Sequence, residues 1–113
     1  MKIEINETNG IKNLILAGRF DASATAGFRD TIKSLLQEGS TDYVVDLQEV
    51  DYIDSGGLGG LVSALRQIRS VDGDIKVSGL SGKVRSVFEL TRLHRIFEIF
   101  DDSMQAVKSY RTV

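Results

Sequence analysis

The chain has 113 residues, the usual size of one domain, and we expect residues 1–113 to fold as a single unit. Its 14 basic and 16 acidic residues give a net charge of -2, so no overall basic field attracts nucleic acid. The absence of cysteine excludes disulfides and thiol catalysis, and the absence of a signal peptide or an apolar run of ~20 residues predicts a cytoplasmic protein that does not contact a membrane.

The first twenty residues predict a β-hairpin. Apolar and polar residues alternate over residues 2–7, which is typical of a half-buried strand. Thr-Asn-Gly at residues 8–10 is a hairpin turn signal, and residues 12–17 contain the apolar run of a second strand. Gly-Arg-Phe-Asp at residues 18–21 ends that strand.

Helices and strands then alternate to the end of the chain. Asp21 or Ser23 is placed to cap the first helix. This helix has apolar residues from 26 to 36 and ends at Gly39, and it is followed by a strand at 43–47 and a tight connection at 50–53. The next elements are a helix from about 55 to 71, a strand at 74–78, a loop at 79–82 and a helix from about 84 to 93. A short strand at 96–99 precedes a last helix, which is capped by residues 101–103 and has Met104, Val107 and Tyr110 as its apolar stripe. This order predicts an α/β fold in which helices pack against a mixed sheet.

The most informative segment is D-S-G-G-L-G-G at residues 54–60, between a predicted strand and a predicted helix. A glycine costs about 1 kcal/mol relative to alanine inside a helix, so a close backbone approach or an unusual backbone angle must require these glycines. Ser55 is a natural N-cap for the helix. The first turn of a helix favours an anion, so a phosphate on Ser55 would lie in a favourable field and add roughly -1.5 to -2 charges to the surface.

The segment at residues 54–60 allows interpretations other than a phosphorylation site. Ser55 could serve only as a cap, and the glycines could serve only to tighten the turn; this alternative stays open. A Walker phosphate loop needs Lys-Ser/Thr after its last glycine, but Leu61 and Val62 follow here. The glycine spacing differs from that of a Rossmann fingerprint, and Ser55 lacks the G-x-S-x-G context of a nucleophile elbow.

His94 is the only histidine of the chain, and it bears on whether the protein is an enzyme. A Ser-His-Asp triad would have to combine it with Ser55 and Asp54, but two adjacent triad members suit a loop better than a catalytic arrangement. We interpret His94 as a helix-end residue, and we expect no catalytic residue and no metal site. Six basic residues in the same half of the chain are expected on solvated helix faces: Arg66, Arg69, Lys83, Arg85, Arg92 and Arg95.

Taken together, these residues resemble the STAS family, the domain of sulfate transporters and anti-sigma factor antagonists, over nearly the whole chain. The similarity is carried by V-V-D-L at residues 44–47, by Val50, and by Y-I-D-S-G-G-L-G at residues 52–59. Residues 18–21 and 90–97 are similar to the family's early and C-terminal patterns. The resemblance implies a single-domain STAS-like fold, with four to five strands in a mixed sheet and about four helices packed against it.

The resemblance also implies a partner-switching regulator rather than an enzyme. In such systems the unphosphorylated antagonist binds an anti-sigma factor, which is also a serine kinase with a histidine-kinase-like ATPase fold, and so frees the sigma factor. A PP2C-type phosphatase reverses the phosphorylation, which falls on Ser55 when the motif is carried over. The implied protein is a monomer without a cofactor. The residues implied in partner binding are Asp21, Asp54, Ser55, Gly56, Gly57 and Leu58.

One position departs from the family pattern. Some members carry two adjacent hydroxyl residues, of which the second can be the acceptor, whereas this chain has Gly56 there. Ser55 is the only hydroxyl of the motif. The alternative function is therefore a non-phosphorylated STAS interaction module of a lipid-transport or stress-signalling complex. A small enzyme with Ser55 as nucleophile is a third hypothesis, which fluorophosphonate labelling lost in Ser55→Ala would support.

Overall fold

Strands and helices alternate along the chain after an initial hairpin. The computed structural model describes residues 1–110. None of their helices has the length and apolar composition needed to cross a membrane. In chain order the elements are β1 (Lys2–Thr8), β2 (Ile11–Phe20), α1 (Ala22–Gln37), β3 (Asp42–Ile53), α2 (Ser55–Arg69), β4 (Asp74–Ser78), α3 (Gly82–Leu90), a 3-10 turn (Leu93–Arg95), β5 (Ile99–Phe100) and α4 (Ser103–Ser109).

The five strands form one sheet in the order β1-β2-β3-β4-β5. β1 is antiparallel to β2, and the strands from β2 to β5 are parallel. β3, β4 and β5 are each reached through a helix, and every step moves one place along the sheet in the same direction. The predicted α/β class, with a mixed sheet and four helices, is confirmed.

The hairpin between β1 and β2 depends on two residues with left-handed backbone angles. Asn9 has φ 54° and Gly10 has φ 80°, as a two-residue turn that matches the twist of the flanking strands requires. β1 is more exposed than its alternating sequence predicted, because it is an edge strand with β2 as its one neighbour. Ile5 keeps 44% of its surface exposed.

Two groups of buried apolar residues lie on the sheet. The main core joins the sheet to α1, α2 and α3, with Phe20, Phe28 and Phe88 fully buried. A smaller cluster lies beneath α4, where Ala106 and Val107 pack near Ile11 and Val44. Met104, predicted in the apolar stripe of α4, is instead 61% exposed, because Ala106 and Val107 are the residues that α4 turns to the sheet.

The third strand is longer than the sequence predicted. Residues 50–53, predicted as a tight connection, continue β3 up to Ile53. They remain paired with β2, where Gly18 lies opposite Val50 and Phe20 lies opposite Ile53. Val50 and Ile53 are buried, so the extension contributes to the core. The last strand also differs: β5 begins at Ile99, because residues 93–95 form a 3-10 turn.

Candidate functional site

The segment at residues 54–60 lies where two neighbouring parallel strands end. Phe20, the last residue of β2, is paired with Ile53, the last residue of β3. A helix begins directly after each strand, with Asp21 before α1 and Asp54 before α2. Because parallel strands end at the same edge of a sheet, the N-termini of α1 and α2 lie side by side.

Asp21, one of the two residues predicted as possible caps, is the N-cap of α1. Its Oδ1 accepts hydrogen bonds from the backbone N–H of Ser23 at 3.0 Å and of Ala24 at 3.2 Å, and from the Ser23 hydroxyl at 2.6 Å. The bond from the Ser23 hydroxyl, with smaller help from the two N–H groups and the Arg19 guanidinium, lowers the pKa of Asp21 below its ordinary value. Asp21 is therefore a carboxylate at neutral pH.

Asp54, and not Ser55, is the N-cap of α2. Its Oδ1 accepts hydrogen bonds from the backbone N–H of Gly56 at 2.9 Å and of Gly57 at 3.3 Å. Asp54 has extended backbone angles, φ -124° and ψ -172°, whereas Ser55 is already the first helical residue. The predicted cap is wrong by one residue because aspartate and serine cap helices about equally well, and a sequence with both does not say which comes first.

Ser55 is exposed in the first turn of α2. It lies one residue inside the helix, where the capping hydrogen bonds are made by Asp54. The backbone N–H groups of this turn carry the positive end of the helix dipole. A phosphate on Ser55 would therefore be attracted by the helix dipole and repelled by the Asp54 carboxylate.

The glycines allow the two strand–helix turns to approach each other. A Cβ at Gly57 would overlap the carbonyl oxygen of Phe20, and a Cβ at Gly56 would lie 2.7 Å from the Cα of Ala22. A Cβ at Gly60 would lie 3.1 Å from a methyl carbon of Thr25, whereas one at Gly59 would meet open space. Close approach therefore explains the first two glycines, and backbone angles do not.

Thr25 joins the two turns, a role that sequence reasoning missed. Its buried hydroxyl oxygen lies 3.0 Å from the carbonyl oxygens of both Asp21 and Gly56. The sequence carries little signal for this contact, since a threonine in the first turn of a helix can equally well face solvent. The hydroxyl ties the start of α1 to the start of α2.

An arginine stacked on a tyrosine lies beside these turns and was also missed. The Arg19 guanidinium carbon is 3.9 Å from the centre of the Tyr52 ring, and its Nε is 3.8 Å from an oxygen of Asp21. Arg19 and Tyr52 are paired residues of β2 and β3. Arg19 is thus a cation close to the carboxylate of Asp21 at this edge of the sheet.

The six residues predicted to bind a partner lie in one place but differ in exposure. Ser55 is exposed, and Asp21, Asp54 and Gly56 are partly exposed. Gly57 and Leu58 are buried beneath them, Leu58 within the main core. The site therefore presents a hydroxyl and two carboxylates on a rigid apolar base.

His94 lies in the 3-10 turn after α3, with Nδ1 3.4 Å from the carbonyl oxygen of Phe88. In residues 1–110 no hydrogen bond joins it to Ser55 or Asp54, and the capping bonds occupy one oxygen of Asp54. No three acidic or histidine side chains of the described residues are grouped as a metal ion requires.

Comparison with known proteins places this geometry in a family. The family model described as "Mlab, STAS domain" matches residues 5–100. BtrV of Bordetella bronchiseptica, named as a candidate anti-sigma factor antagonist, is 26% identical over 112 residues, which are 99% of this chain and 97% of BtrV. The anti-sigma-B factor antagonist of Staphylococcus aureus is 25% identical over 99 residues, 88% of this chain and 92% of that protein.

A solved structure shows the same fold. The crystal structure of TM1081 from Thermotoga maritima, described as a candidate anti-sigma factor antagonist, is similar to this chain with a TM-score of 0.91 at 25% identity. The similarity covers 97% of this chain and 95% of TM1081. The expected STAS-like fold is confirmed.

Proposed function

The chain belongs to the STAS domain family, and from that premise we propose that it is an anti-sigma factor antagonist that switches partners in the cytoplasm through Ser55. The unphosphorylated form binds an anti-sigma factor that is also a serine kinase with a histidine-kinase-like ATPase fold. Phosphorylation of Ser55 releases it, and a PP2C-type phosphatase restores the binding form. The observation that carries the proposal is the exposed Ser55 hydroxyl in the first turn of α2, beside two capping carboxylates.

The relatives support this choice of function. BtrV and the Staphylococcus aureus protein are both named for antagonism of an anti-sigma factor, and each matches this chain over almost its whole length. Since the aligned lengths are nearly complete, the likeness is not limited to a shared fragment. The stretch aligned with BtrV, 99% of this chain, extends over Ser55.

The carboxylates of Asp21 and Asp54 give the proposed docking surface a negative charge. Both hydrogen bonds that Asp54 accepts from the helix fall on Oδ1. Asp21 likewise uses Oδ1 for its capping bonds, and its Oδ2 lies 3.8 Å from the Nε of the exposed Arg19. Oδ2 of Asp54 is thus left for an external donor, and Oδ2 of Asp21 can be shared between Arg19 and a second donor. We propose that a basic patch of the kinase binds these oxygens and so brings the Ser55 hydroxyl to the γ-phosphate of ATP.

The phosphoryl transfer uses the machinery of the kinase. The Ser55 Oγ attacks the γ-phosphorus, the bond from that phosphorus to the bridging oxygen breaks, and ADP leaves with Mg²⁺ stabilising the developing charge. The hydroxyl proton passes to a base of the kinase.

The new phosphate carries roughly -1.5 to -2 charges next to Asp54, and burying it in the interface costs desolvation. A loss of 1.4 kcal/mol weakens binding about tenfold, so a few kcal/mol is enough for release.

The direct test is an intact-mass measurement with ATP, Mg²⁺ and the candidate anti-sigma kinase. We expect one added phosphate on the wild type and none on Ser55→Ala, while Ser23→Ala, a serine at the same edge in α1, is still phosphorylated. Ser55→Ala should bind the kinase constitutively and Ser55→Asp should bind weakly. Equal affinities of those two variants would contradict the switch. A complex that forms without phosphate transfer would favour the alternative, a non-phosphorylated interaction module of a lipid-transport or stress-signalling complex.

Asp54→Asn separates the charge of the docking surface from its fold. Asparagine caps helices about as well as aspartate, so the free energy of unfolding should change by only a few tenths of a kcal/mol. Its loss of charge should weaken kinase binding about three- to tenfold at low salt, with a smaller effect at 0.5 M salt. Calorimetric titration at both salt concentrations measures this, and an unchanged affinity would show that Asp54 acts only as a cap.

A further inference from the structure

A groove lies on the molecule between α3 and β5, and its lining does not include any residue of the Ser55 site. We call it the α3–β5 groove; it has a volume of about 910 Å³, within the range of ligand and peptide clefts. It is lined by Leu80, by Arg85, Phe88 and Glu89 of α3, and by residues 94–101. Arg69 lies at one end, where its Nη2 donates to the carbonyl oxygen of Ile96 at 3.2 Å.

The groove runs along the free edge of the sheet. Glu98, Ile99, Phe100 and Asp101 all line it, although successive side chains of a strand point to opposite faces. Such a consecutive lining is expected when the space lies beside the strand rather than above it. Within residues 1–110, β5 is the last strand of the sheet and β4 is its one neighbour.

The backbone of β5 offers hydrogen-bonding groups to this space. The carbonyl oxygens of Glu98 and Phe100 accept from the N–H groups of Val77 in β4 and of Gly79 directly after it. Because alternate residues of a parallel strand bond to opposite neighbours, the N–H and C=O of Ile99 point away from β4. An edge strand with such groups free is a template for pairing with another extended segment.

The side chains of the groove add an apolar surface and an unpaired cation. Leu80 and Ile99 are partly exposed, and Ile96 keeps 39% of its surface exposed. Arg85 is partly buried in the wall, and within residues 1–110 it has no carboxylate oxygen within 4.0 Å, although Glu89, four residues later, also lines the groove. Within the same residues Arg95 is likewise unpaired, but it is exposed. The carboxylate of Glu98 is turned to Lys76, at 3.7 Å. A half-buried guanidinium without a partner favours an incoming carboxylate.

We propose that the α3–β5 groove binds an extended peptide segment of a partner protein, which adds to β5 as a further strand. The backbone of the segment bonds to the N–H and C=O of Ile99. One apolar side chain of the segment packs on Leu80, Ile96 and Ile99, and an Asp or Glu of the segment pairs with Arg85. This second contact is independent of phosphorylation, because Ser55 is not part of the groove.

A random library of linear octapeptides displayed on phage tests the proposal. Selection on the wild type should enrich peptides with an acidic residue near an aliphatic or aromatic residue. Selection on Arg85→Glu should enrich lysine or arginine in place of the acid. Lys83→Glu makes the same charge change on the same helix outside the groove, and it should keep the acidic preference. Unchanged thermal unfolding midpoints establish that both variants fold.

Nuclear magnetic resonance locates the bound peptide. A synthetic copy of an enriched peptide should shift the amide signals of residues 96–101 most strongly and leave that of Ser55 in place. The affinity of the peptide for the protein should fall about tenfold in Arg85→Glu and should be unchanged in Ser55→Ala. The result for the groove is therefore independent of the result for the phosphorylation switch. No enrichment on the wild type, shifts away from β5, or equal binding by Arg85→Glu would overturn the proposal.

Discussion

At the scale of single residues, Gly57 and Gly59 make a matched pair. A methyl group on Gly57 would overlap the Phe20 carbonyl, whereas one on Gly59 would meet open space. Gly57→Ala should lower the free energy of unfolding by about 2–3 kcal/mol, because the two turns must move apart. Gly59→Ala should raise it by about 0.5–1 kcal/mol, since alanine is the better helix former. Urea unfolding followed by circular dichroism measures both.

The same pair tests the explanation of the glycine run. If both substitutions stabilised the protein, helix propensity alone would account for residues 54–60 and the close approach of the turns would be irrelevant. If both destabilised it by a similar amount, α2 would require glycine for a reason unrelated to the Phe20 contact. We expect the two substitutions to change the free energy of unfolding in opposite directions, because a Cβ contacts Phe20 at residue 57 and no neighbour at residue 59.

Residue chemistry was predictable from the sequence where a residue type has few uses. The glycine run is such a case, and the cap of α1 was narrowed to Asp21 or Ser23. The position of the α2 cap did not follow, since Asp54 and Ser55 are adjacent and both suitable. The contacts of Thr25 and the stack of Arg19 on Tyr52 depend on pairing between β2 and β3, and no local pattern records that pairing.

At the scale of elements, β3 shows why strand ends were hard to predict. Its centre, at residues 43–47, is apolar and β-branched and was predicted as a buried strand. Its second half contains Gln48, Glu49 and Asp51, which are exposed and interrupt the apolar run. Pairing with β2 keeps this half extended, with two register irregularities that shift the alternation. Tertiary pairing thus determined an end that local pattern could not.

Helix α4 depends on a few polar contacts for its place on the sheet. The hydroxyl of Tyr110, just after α4, lies 2.6 Å from the carbonyl oxygen of Tyr43 and 3.0 Å from that of Asp74. The buried ammonium of Lys76 donates to the Ser109 hydroxyl at 2.7 Å and lies 4.1 Å from the Tyr110 ring. A seven-residue helix is not stable alone, so these contacts and the small cluster beneath it must hold it.

Tyr110→Phe should therefore loosen α4 more than the rest of the molecule. Removing the hydroxyl leaves buried carbonyl oxygens with one partner fewer, at a cost of about 1 kcal/mol. Hydrogen exchange of the α4 amides should become about fivefold faster, with the β2 and β3 amides changing less. Tyr52→Phe, at an exposed ring, is the control and should leave α4 unchanged. Uniform acceleration across all elements would show that α4 unfolds only with the whole protein.

At the scale of the whole molecule, the order of the strands creates the site. Asp21 and Asp54 are far apart in sequence, and they meet because β2 and β3 are neighbours that end at one edge. The alternation of strands and helices predicts this arrangement for any two successive parallel strands. It does not indicate which pair of strand ends would bear a function, and the D-S-G-G-L-G segment is the feature that points to β2 and β3. The fold was thus predictable from the alternation of elements, whereas the assignment of a function to this edge stays a prediction.

The stability of the whole molecule should fall in alkali because of buried tyrosines. Burial, with smaller effects of Asp42 and Glu38, raises the pKa of Tyr43 to about 12, and burial also raises the pKa of Tyr110. Above pH 10 the unfolded chain loses these phenolic protons while the folded protein retains them. The unfolded state then binds fewer protons, so stability decreases as pH rises.

Tyr43 alone should contribute a slope of up to about 1.4 kcal/mol per pH unit between pH 10 and pH 12. Lys12, whose pKa is raised chiefly by its hydrogen bond with Glu7, adds a contribution of the same sign, so the slope of the wild type is not due to tyrosine alone. Urea unfolding of the wild type and of Tyr43→Phe from pH 9 to pH 11.5 isolates the tyrosine. Tyr43→Phe should be less stable at pH 9, where it lacks the bond to the Ser40 carbonyl oxygen, and should lose less stability as pH rises. Parallel slopes for the two proteins would mean that the Tyr43 phenol titrates alike in the folded and unfolded chains.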